Sequence, residues 1–221
     1  MHSFTEENYL KVIYHLSKTS GTPVQTNSIA DRIKTRAASV TDMLRKLAEK
    51  ELIHYIKYQG VTLTIKGSTA AISVIRKHRL WEVFLVDKLK LRWDEVHDIA
   101  EELEHVKSSV LIERLDAFLG FPKRDPHGDP IPDQHGVFET MQNKHLNELI
   151  IGKNAVMIGV SEHSSPFLKH LEKLGLTIGI ALQIVAITEY DGSVELLVDQ
   201  QKINISRDVA QHILVDDKVT I

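Results

Sequence analysis

The stretch SVTDMLRKLAEKELIHYIKYQGVTLTIKG, residues 39–67, changes its pattern halfway along. Its first half repeats apolar side chains at the i, i+3, i+4 and i+7 spacing of one helix face, namely at Val40, Met43, Leu44 and Leu47. Its second half alternates polar and apolar residues around a glycine-containing turn at residues 58–61, which is typical of a β-hairpin. The stretch therefore predicts a helix that leads directly into a hairpin.

Two shorter helical patterns precede this stretch. FTEENYLKVIYHLSK (4–18) is amphipathic, with Thr5 as its expected N-cap, and NSIADRI (27–33) follows a Gly-Thr-Pro break, with Thr26 or Asn27 as its cap. The predicted order is helix, helix, turn, helix, hairpin. This is the order of a winged helix-turn-helix, in which the helix after the turn enters the DNA major groove.

The side chains of the third helix that do not face the core are hydrogen-bonding or basic, as contacts to bases and phosphates require. The candidate DNA-binding residues are Arg36, Ser39, Thr41, Asp42, Arg45 and Lys46, with Lys57 on the wing. Residues 1–66 carry ten Lys or Arg against six Asp or Glu, whereas the rest of the chain is acidic, which favours a polyanionic partner for this part. The alternative is a small α/β domain that binds protein or nothing.

Composition excludes several classes of protein. The chain has no cysteine, so it can form no disulfide and offers no thiolate as ligand or nucleophile. MHSFTEENYL lacks the pattern of a signal peptide, and the most apolar stretch, IGIALQIVAI, is too short to span a bilayer. With 43% hydrophobic and 26% charged residues, the sequence predicts a folded cytoplasmic protein with no membrane association.

The remainder of the chain divides into a helical and a β-rich part. Residues 66–119 follow a helical pattern, with Ser108 as an internal cap and Gly120 as the stop, and four of the six prolines fall in residues 121–133. Residues 150–221 alternate short β-prone runs with glycine turns around one helix, SSPFLKHLEKLGL. We therefore predict a mainly α protein with small β elements, ending in a small barrel or sandwich.

Residues 96–106, VHDIAEELEHV, place four potential metal ligands along one helix side: His97, Glu101, Glu104 and His105. A second pair, His78 and Glu82, stands four residues apart upstream. If the two helices pack together, six nitrogen and oxygen donors converge, which favours manganese or ferrous iron although zinc would also bind. The alternative is a salt-bridged solvent-exposed face.

Several stretches together resemble one family, the metal-dependent transcriptional regulators of the diphtheria-toxin-repressor type. They are ENYLKVIYHL, ASVTDMLRKLAEKELI, YIKYQGVTLTIKG, RKHRLWE, VHDIAEELEHV and DPHGDPIP, and LEKLGLTIGIALQIV resembles the SH3-like domain of the longer members. The resemblance implies a winged helix-turn-helix over residues 1–66, a helical metal-binding and dimerisation domain over 67–137 and an SH3-like domain over 138–221. It also implies a repressor that binds Mn²⁺ or Fe²⁺ and controls metal-uptake genes.

The resemblance further implies two metal sites per subunit. One would use His78, Glu82 and His97 with a contribution from Glu162 or His163, and the other Glu101, Glu104, His105 and position 8, while Asp125 and His127 are further candidates. Position 101 is Glu where iron-type members carry Cys, which agrees with the manganese branch. Position 8 is Asn where Asp or Met is usual, so the second site is expected to bind metal more weakly.

The expected partners are double-stranded DNA and a second copy of the chain, with no small organic substrate. More apolar residues are present than the middle domain can bury alone, which predicts a two-fold interface and a pseudo-palindromic operator; they are Ile72, Ile75, Val83, Phe84, Leu111, Leu115 and Phe118. A dinuclear metalloenzyme is the alternative from another class, because Glu102-x-x-His105 and Glu51-x-x-His54 match the Glu-x-x-His element of carboxylate bundles. A third possibility is a regulator that senses an organic ligand in its C-terminal domain.

Overall fold

A computed structural model describes residues 2–139 and 143–218. The chain forms two compact units and passes between them more than once. The first unit comprises the chain up to His78, with Glu101–Ile112 and Pro132–Val137. The second comprises Arg79–Ala100, Glu113–Ile131 and the chain from Phe138 onward.

The first unit begins with the predicted three helices and hairpin. They are α1 (Phe4–Thr19), α2 (Thr26–Ile33), α3 (Ala37–Glu49), β1 (Ile53–Ile56) and β2 (Gly60–Leu63). Helix α1 is capped by Ser3, not by Thr5 as expected, because Ser3 and Glu6 form a reciprocal capping box. Gln25 occupies the N-cap position of α2 without a side-chain hydrogen bond, so the caps expected there are also wrong.

The core of this unit lies between the three helices and the hairpin. Val40, Leu44 and Leu47 of α3 are fully buried, while Met43 is only partly buried at the edge of the cluster. Strands β1 and β2 pair antiparallel, and Val24 adds a bridge to Val61. Gly60 fits there because the Val24 carbonyl lies 2.6 Å from where its Cβ would stand, at a φ of 109°. The winged helix-turn-helix prediction is confirmed.

Three helices follow: α4 (Ile65–Asp87), α5 (Val96–Leu103) and α6 (Ser109–Phe118). As predicted, Ser108 precedes α6 and accepts a hydrogen bond from the Leu111 backbone N–H at 3.2 Å. Gly120 follows α6 with a φ of 77°, the left-handed conformation that commonly ends helices. The predicted helical region therefore consists of three helices with defined ends.

The β-rich part of the second unit is one six-stranded antiparallel sheet. Its strands are β3 (Lys144–His145), β4 (Asn154–Val160), β5 (Ala181–Ile187), β6 (Val194–Val198), β7 (Gln201–Ile205) and β8 (Ile213–Asp216), in the order β3-β8-β4-β5-β6-β7. A 3₁₀ turn (Leu146–Glu148) and two helices, α7 (Ser165–Lys173) and α8 (Arg207–Ala210), accompany it. Alternate strand residues such as Ile184, Leu196 and Val215 are fully buried, which gives this sheet its own core.

The apolar residues expected at a dimer interface fall into three groups, of which Ile72 and Phe84 form the half-buried one. Ile75, Val83 and Leu115 are buried within the single chain, so they do not require a partner. Leu111 and Phe118 remain 43% and 64% exposed. In the part of the chain that the structure describes, no helix has the length and apolar character needed to cross a membrane.

Candidate functional site

Glu82 of α4 is the centre of a buried polar cluster in the second unit. Its side chain is 2% exposed, and its Oε1 lies 3.5 Å from His97 Nδ1 and 3.7 Å from His127 Nδ1. His97 belongs to α5, whereas His127 belongs to the proline-rich segment. His78 precedes Glu82 by one turn of α4, so the helix presents both side chains on the same face.

The segment that carries His127 is ordered by Asp125. Asp125 Oδ1 accepts hydrogen bonds from the backbone N–H groups of His127 and Asp129, at 2.9 and 3.0 Å. Gly128 has a φ of 89°, and the Ile158 carbonyl lies 2.2 Å from where its Cβ would stand, so no larger residue fits against β4. The sequence DPHGD therefore forms a tight turn that faces its aspartate and histidine inward.

The tautomer of His127 follows from its neighbours. His127 Nε2 lies 2.7 Å from the carbonyl oxygen of Trp93, which can only accept, so Nε2 carries the proton. Nδ1 is then the atom that faces Glu82 and would bind a cation in the neutral imidazole. The ring is stacked between Trp93, at a centroid distance of 6.1 Å, and His163, at 5.0 Å.

The cluster has unusual protonation properties. Burial raises the pKa of Asp125 to about 7. The negative charges of Asp129 and Glu82 also raise this pKa, whereas the positive charge of Arg79 lowers it. Burial alone would lower the pKa of His127, but its hydrogen bond and charge interaction with Glu82 outweigh this and raise the pKa to about 9. The buried negative charge of this cluster therefore attracts protons or any other available cation.

The donor set fits a divalent metal ion. Glu82, Asp125 and His127 each offer one ligand atom, and these atoms all lie within 4.8 Å of one another. All three residues are buried and belong to the second unit. Two carboxylates and one imidazole without sulfur are a hard to intermediate donor set, as Mn²⁺ and Fe²⁺ prefer.

A second polar cluster lies in the first unit around Glu104. Its side chain is fully buried, and its Oε2 accepts a hydrogen bond from His78 Nδ1 at 2.6 Å. Lys11 of α1 donates to both oxygens of Glu104, at 2.7 and 2.8 Å, and to Glu101 Oε1 at 3.2 Å. Burial would raise the pKa of Glu104, but the His78 hydrogen bond and the Lys11 charge outweigh it and lower the pKa.

The residue expected at position 8 is not the one that faces this cluster. Asn8 is exposed, whereas its neighbour Glu7 accepts a hydrogen bond from His105 Nδ1 at 2.6 Å. Phe4 stacks on the His105 ring at a centroid distance of 4.7 Å. Glu7 was not singled out from the sequence alone. Glu7 stands four residues before Lys11, so the two residues share one face of α1.

Of the two C-terminal candidates, the structure brings only one to the first cluster. His163 stacks on His127, and burial lowers its pKa. Glu162 instead accepts the backbone N–H of Ser164 at 2.8 Å, and this hydrogen bond lowers its pKa. Trp93, which sequence reasoning also missed, contacts His127 through its ring and its carbonyl group.

The predicted DNA-binding residues form an exposed polar face. Helix α3 and its N-cap residue expose Arg36, Ser39, Asp42, Arg45 and Lys46, and the hairpin exposes Lys57. Thr41 is half-buried, and its hydroxyl donates to the Ala37 carbonyl at 3.0 Å. Arg45 Nη1 lies 3.3 Å from Asp42 Oδ1, so these two side chains form an ion pair on the surface of α3. The apolar side of α3 faces the core, so these side chains are available to a partner.

Comparison with known families accounts for nearly the whole chain. Residues 1–61 match the family described as the iron-dependent repressor N-terminal DNA binding domain. Residues 64–133 match the iron-dependent repressor metal binding and dimerisation domain, and residues 144–217 match the FeoA domain.

Individual relatives cover different shares of the chain. The iron-dependent repressor IdeR of Mycobacterium leprae is 38% identical over 128 residues, 58% of this chain, and the matched part spans only 55% of that relative. The diphtheria toxin repressor of Corynebacterium glutamicum is 32% identical over 213 residues, which cover 88% of this chain and 92% of the relative.

Solved structures agree with these matches. A manganese-dependent transcriptional repressor in complex with manganese has a TM-score of 0.85 and 37% identity, and the match covers 96% of this chain and 99% of that one. ScaR with bound Zn²⁺ has a TM-score of 0.76 and 33% identity over 96% and 99% of the two chains. The resemblance inferred from sequence motifs is confirmed, and the chain belongs to the iron-dependent repressor family, which includes the diphtheria toxin repressor.

Proposed function

We propose that this protein is a metal-activated transcriptional repressor. Binding of Mn²⁺ or Fe²⁺ would favour the form of a homodimer that binds an operator in double-stranded DNA. The observation that carries the proposal is the buried cluster of Glu82, Asp125 and His127 in a chain that also presents an exposed polar helix face on a winged helix-turn-helix.

The first metal centre is proposed at this cluster in the second unit. Glu82, Asp125 and His127 would hold the ion, and His97 and His163 are close enough to Glu82 and His127 to complete its coordination. Bound metal would supply positive charge that joins α4, α5 and the proline-rich segment. The named relatives support Mn²⁺ or Fe²⁺ as the effector, and the zinc-bound relative agrees with the expectation that zinc also binds.

The second metal centre is proposed at the cluster around Glu104 in the first unit. Its ligands would be Glu101, Glu104 and His105, with Glu7 in the place expected of position 8. A divalent ion here would join α1 of the DNA-binding module to the end of α5. Two metal ions per subunit remain our proposal.

DNA recognition is proposed for the exposed face of α3 and for Lys57 on the wing. In a two-fold dimer, paired α3 helices would read a pseudo-palindrome with half-sites ~34 Å apart. The partly exposed Leu111 and Phe118 are available for a dimer contact. We assign the DNA-binding, metal-binding and SH3-like domains to residues 1–66, 67–137 and 138–221, and we place the protein in the cytoplasm.

Metal controls DNA binding only if it binds the DNA-competent form more tightly than the other forms. A coupling free energy of roughly 1 to 3 kcal/mol per site would change DNA affinity about 5- to 150-fold. The regulated genes are proposed to encode metal uptake, so that plentiful metal represses its own import.

A DNA-binding titration tests this function. A binding sequence is first selected from a randomised double-stranded DNA pool in the presence of Mn²⁺, and its affinity is then measured at one fixed salt concentration with Mn²⁺, Fe²⁺, Co²⁺, Zn²⁺ or a chelator. We expect Mn²⁺ or Fe²⁺ to raise the affinity at least about fivefold over the chelator. Equal affinity under all five conditions would contradict the proposal.

The alternative of a dinuclear enzyme finds no support in the geometry. Glu102 and His54 are exposed, and Glu51 is also exposed, so three of the four residues in the two Glu-x-x-His elements face solvent. A carboxylate-bundle centre needs these residues buried between helices. The named relatives are repressors, which favours the same conclusion.

A further inference from the structure

Lys11 has a position that the family resemblance did not predict. Its Nζ lies 2.7 and 2.8 Å from the two oxygens of Glu104, and 3.2 Å from Glu101 Oε1. The Lys11 side chain is 12% exposed and that of Glu104 is fully buried. A primary ammonium group therefore contacts two of the carboxylates proposed to hold the second metal ion.

The ammonium and a metal ion need the same oxygen atoms. An ammonium group donates three hydrogen bonds, and Lys11 directs them at three carboxylate oxygens. Glu104 Oε2 also accepts from His78 Nδ1, so Glu104 has little capacity left for another partner. Charge-assisted hydrogen bonds of this kind are among the stronger ones in proteins.

Lys77 is a second buried ammonium near the same carboxylates, but it is engaged elsewhere. Burial lowers the pKa of Lys77, although the negative charges of Glu7 and Glu104 act to raise it. Its Nζ lies 3.5 Å from the Val106 carbonyl oxygen. Lys11, by contrast, contacts the carboxylates of Glu101 and Glu104 directly.

We propose that Lys11 is a built-in competitor for the second metal centre. A divalent ion enters the Glu101–Glu104 cluster only by displacing the Lys11 ammonium. This inference deepens the proposed function and rests on it. Its consequence is an order of loading: the Glu82 cluster fills first, and the Glu104 cluster fills only at a higher metal concentration.

Charge variants at position 11 test the competition. Mn²⁺ binding to the full chain is measured by calorimetry and by electron paramagnetic resonance of free Mn²⁺, at fixed pH and salt. We expect Lys11→Met to strengthen the weaker of two binding events by about 10- to 100-fold, since one charge-assisted interaction no longer opposes the metal. Lys11→Arg should keep the weak binding, and Lys18→Met, an exposed lysine on the same helix, should leave both events unchanged.

A measurement on the unaltered protein covers the case in which Lys11→Met does not fold. Reaction of Lys11 with an amine-acetylating reagent is followed by mass spectrometry across the Mn²⁺ titration. The proposal expects labelling of Lys11 to rise as the second event proceeds, because displacement frees its amine. Labelling that does not change through a second binding event would overturn it.

The two proposals fail differently. If Lys11→Met folds and leaves the weaker event unchanged, Lys11 does not compete, yet the tighter event would still support metal binding at the Glu82 cluster. Loss of the tighter event in Glu82→Gln identifies that cluster independently of Lys11. If the wild-type chain binds no Mn²⁺ at all, the proposed function fails first.

Discussion

The two polar clusters compensate the negative charge of their buried carboxylates in different ways. Around Glu82, protons supply part of the balancing charge, because the pKa of Asp125 is raised to about 7 and that of His127 to about 9, while Arg79 Nε lies 3.6 Å from Asp125 Oδ2. Around Glu104, the Lys11 ammonium and His78 supply it, and the Glu104 pKa is lowered. A proton leaves when a metal ion arrives, whereas a tethered ammonium must be moved aside. Clusters of similar donor residues can thus differ in metal affinity, because the group that the metal ion must displace differs.

Substitution of Glu82 is expected to change metal binding more than any other variant proposed here. Replacing Glu82 by Gln removes the carboxylate whose Oε1 lies 3.5 Å from His97 Nδ1 and 3.7 Å from His127 Nδ1. We expect the tighter Mn²⁺ binding event to weaken by at least ~100-fold, because a neutral amide is a poor ligand. Calorimetry measures the change, with Glu102→Gln on exposed α5 surface as the matched control. If Glu82→Gln still binds Mn²⁺ tightly, Glu82 is not a ligand of the tighter site, and the proposed first metal centre is wrong.

An intermediate effect is expected at Glu104 in the absence of metal. Glu104→Gln leaves the largely buried Lys11 ammonium without its main partner, and we expect the free energy of unfolding to fall by about 2 kcal/mol. The double variant with Lys11→Met should lose less than the sum of the two single variants, because both remove one interaction. Urea unfolding in the presence of a chelator, at one protein concentration, measures the free energy of unfolding of the single and double variants. Strict additivity would show that the pair is not coupled.

Asp94 is a third buried carboxylate, and its partners are two cationic side chains and one hydroxyl group. Arg92, Ser165 and Lys169 lie 2.9, 3.0 and 3.2 Å from it. Burial would raise its pKa, but these partners outweigh burial and lower the pKa of the Asp94 carboxyl from its ordinary value. We expect Asp94→Asn to reduce stability by about 1 kcal/mol at neutral pH and to leave Mn²⁺ binding unchanged.

The pH dependence of the Asp94 effect has a defined sign. Because its pKa is lower in the folded than in the unfolded chain, its stabilisation is present above the unfolded value and is lost as pH falls through the folded value. The difference between wild type and Asp94→Asn should therefore shrink below about pH 4. Chemical unfolding at pH 3 and pH 7 measures it, and a difference that grows on acidification would contradict the assignment.

Much of the fold could be predicted because it follows from local patterns. The i, i+3, i+4, i+7 repeat of Val40, Met43, Leu44 and Leu47 correctly predicted α3, and the glycine turn before Val61 predicted the hairpin. Cap positions were less predictable, because Ser3 and Thr5 are both good caps and only the capping box with Glu6 decides between them.

The candidate site could be predicted in composition but not in its contacts. The stripe over residues 97–105 and the pair on α4 identified most of the polar residues from helical spacing, although α5 ends at Leu103, before the last two residues of the stripe. The roles of Glu7, Lys11 and Trp93 could not be read in the same way, because each contacts a residue far along the chain. Helical spacing says which side chains share a face, but it does not say which distant group they meet.

Residue types and their spacing were enough to predict the helices, the hairpin, the β-rich end, the absence of thiolate ligands and the family. Each of these depends on residue type and on spacing within a short stretch. The packing of the folded chain was needed to show that Asp125 and His127 lie beside Glu82, and that Lys11 pairs with Glu104. The physical reason is that these contacts join residues more than 40 positions apart, and the charge balance of each buried carboxylate depends on which partner packing brings to it.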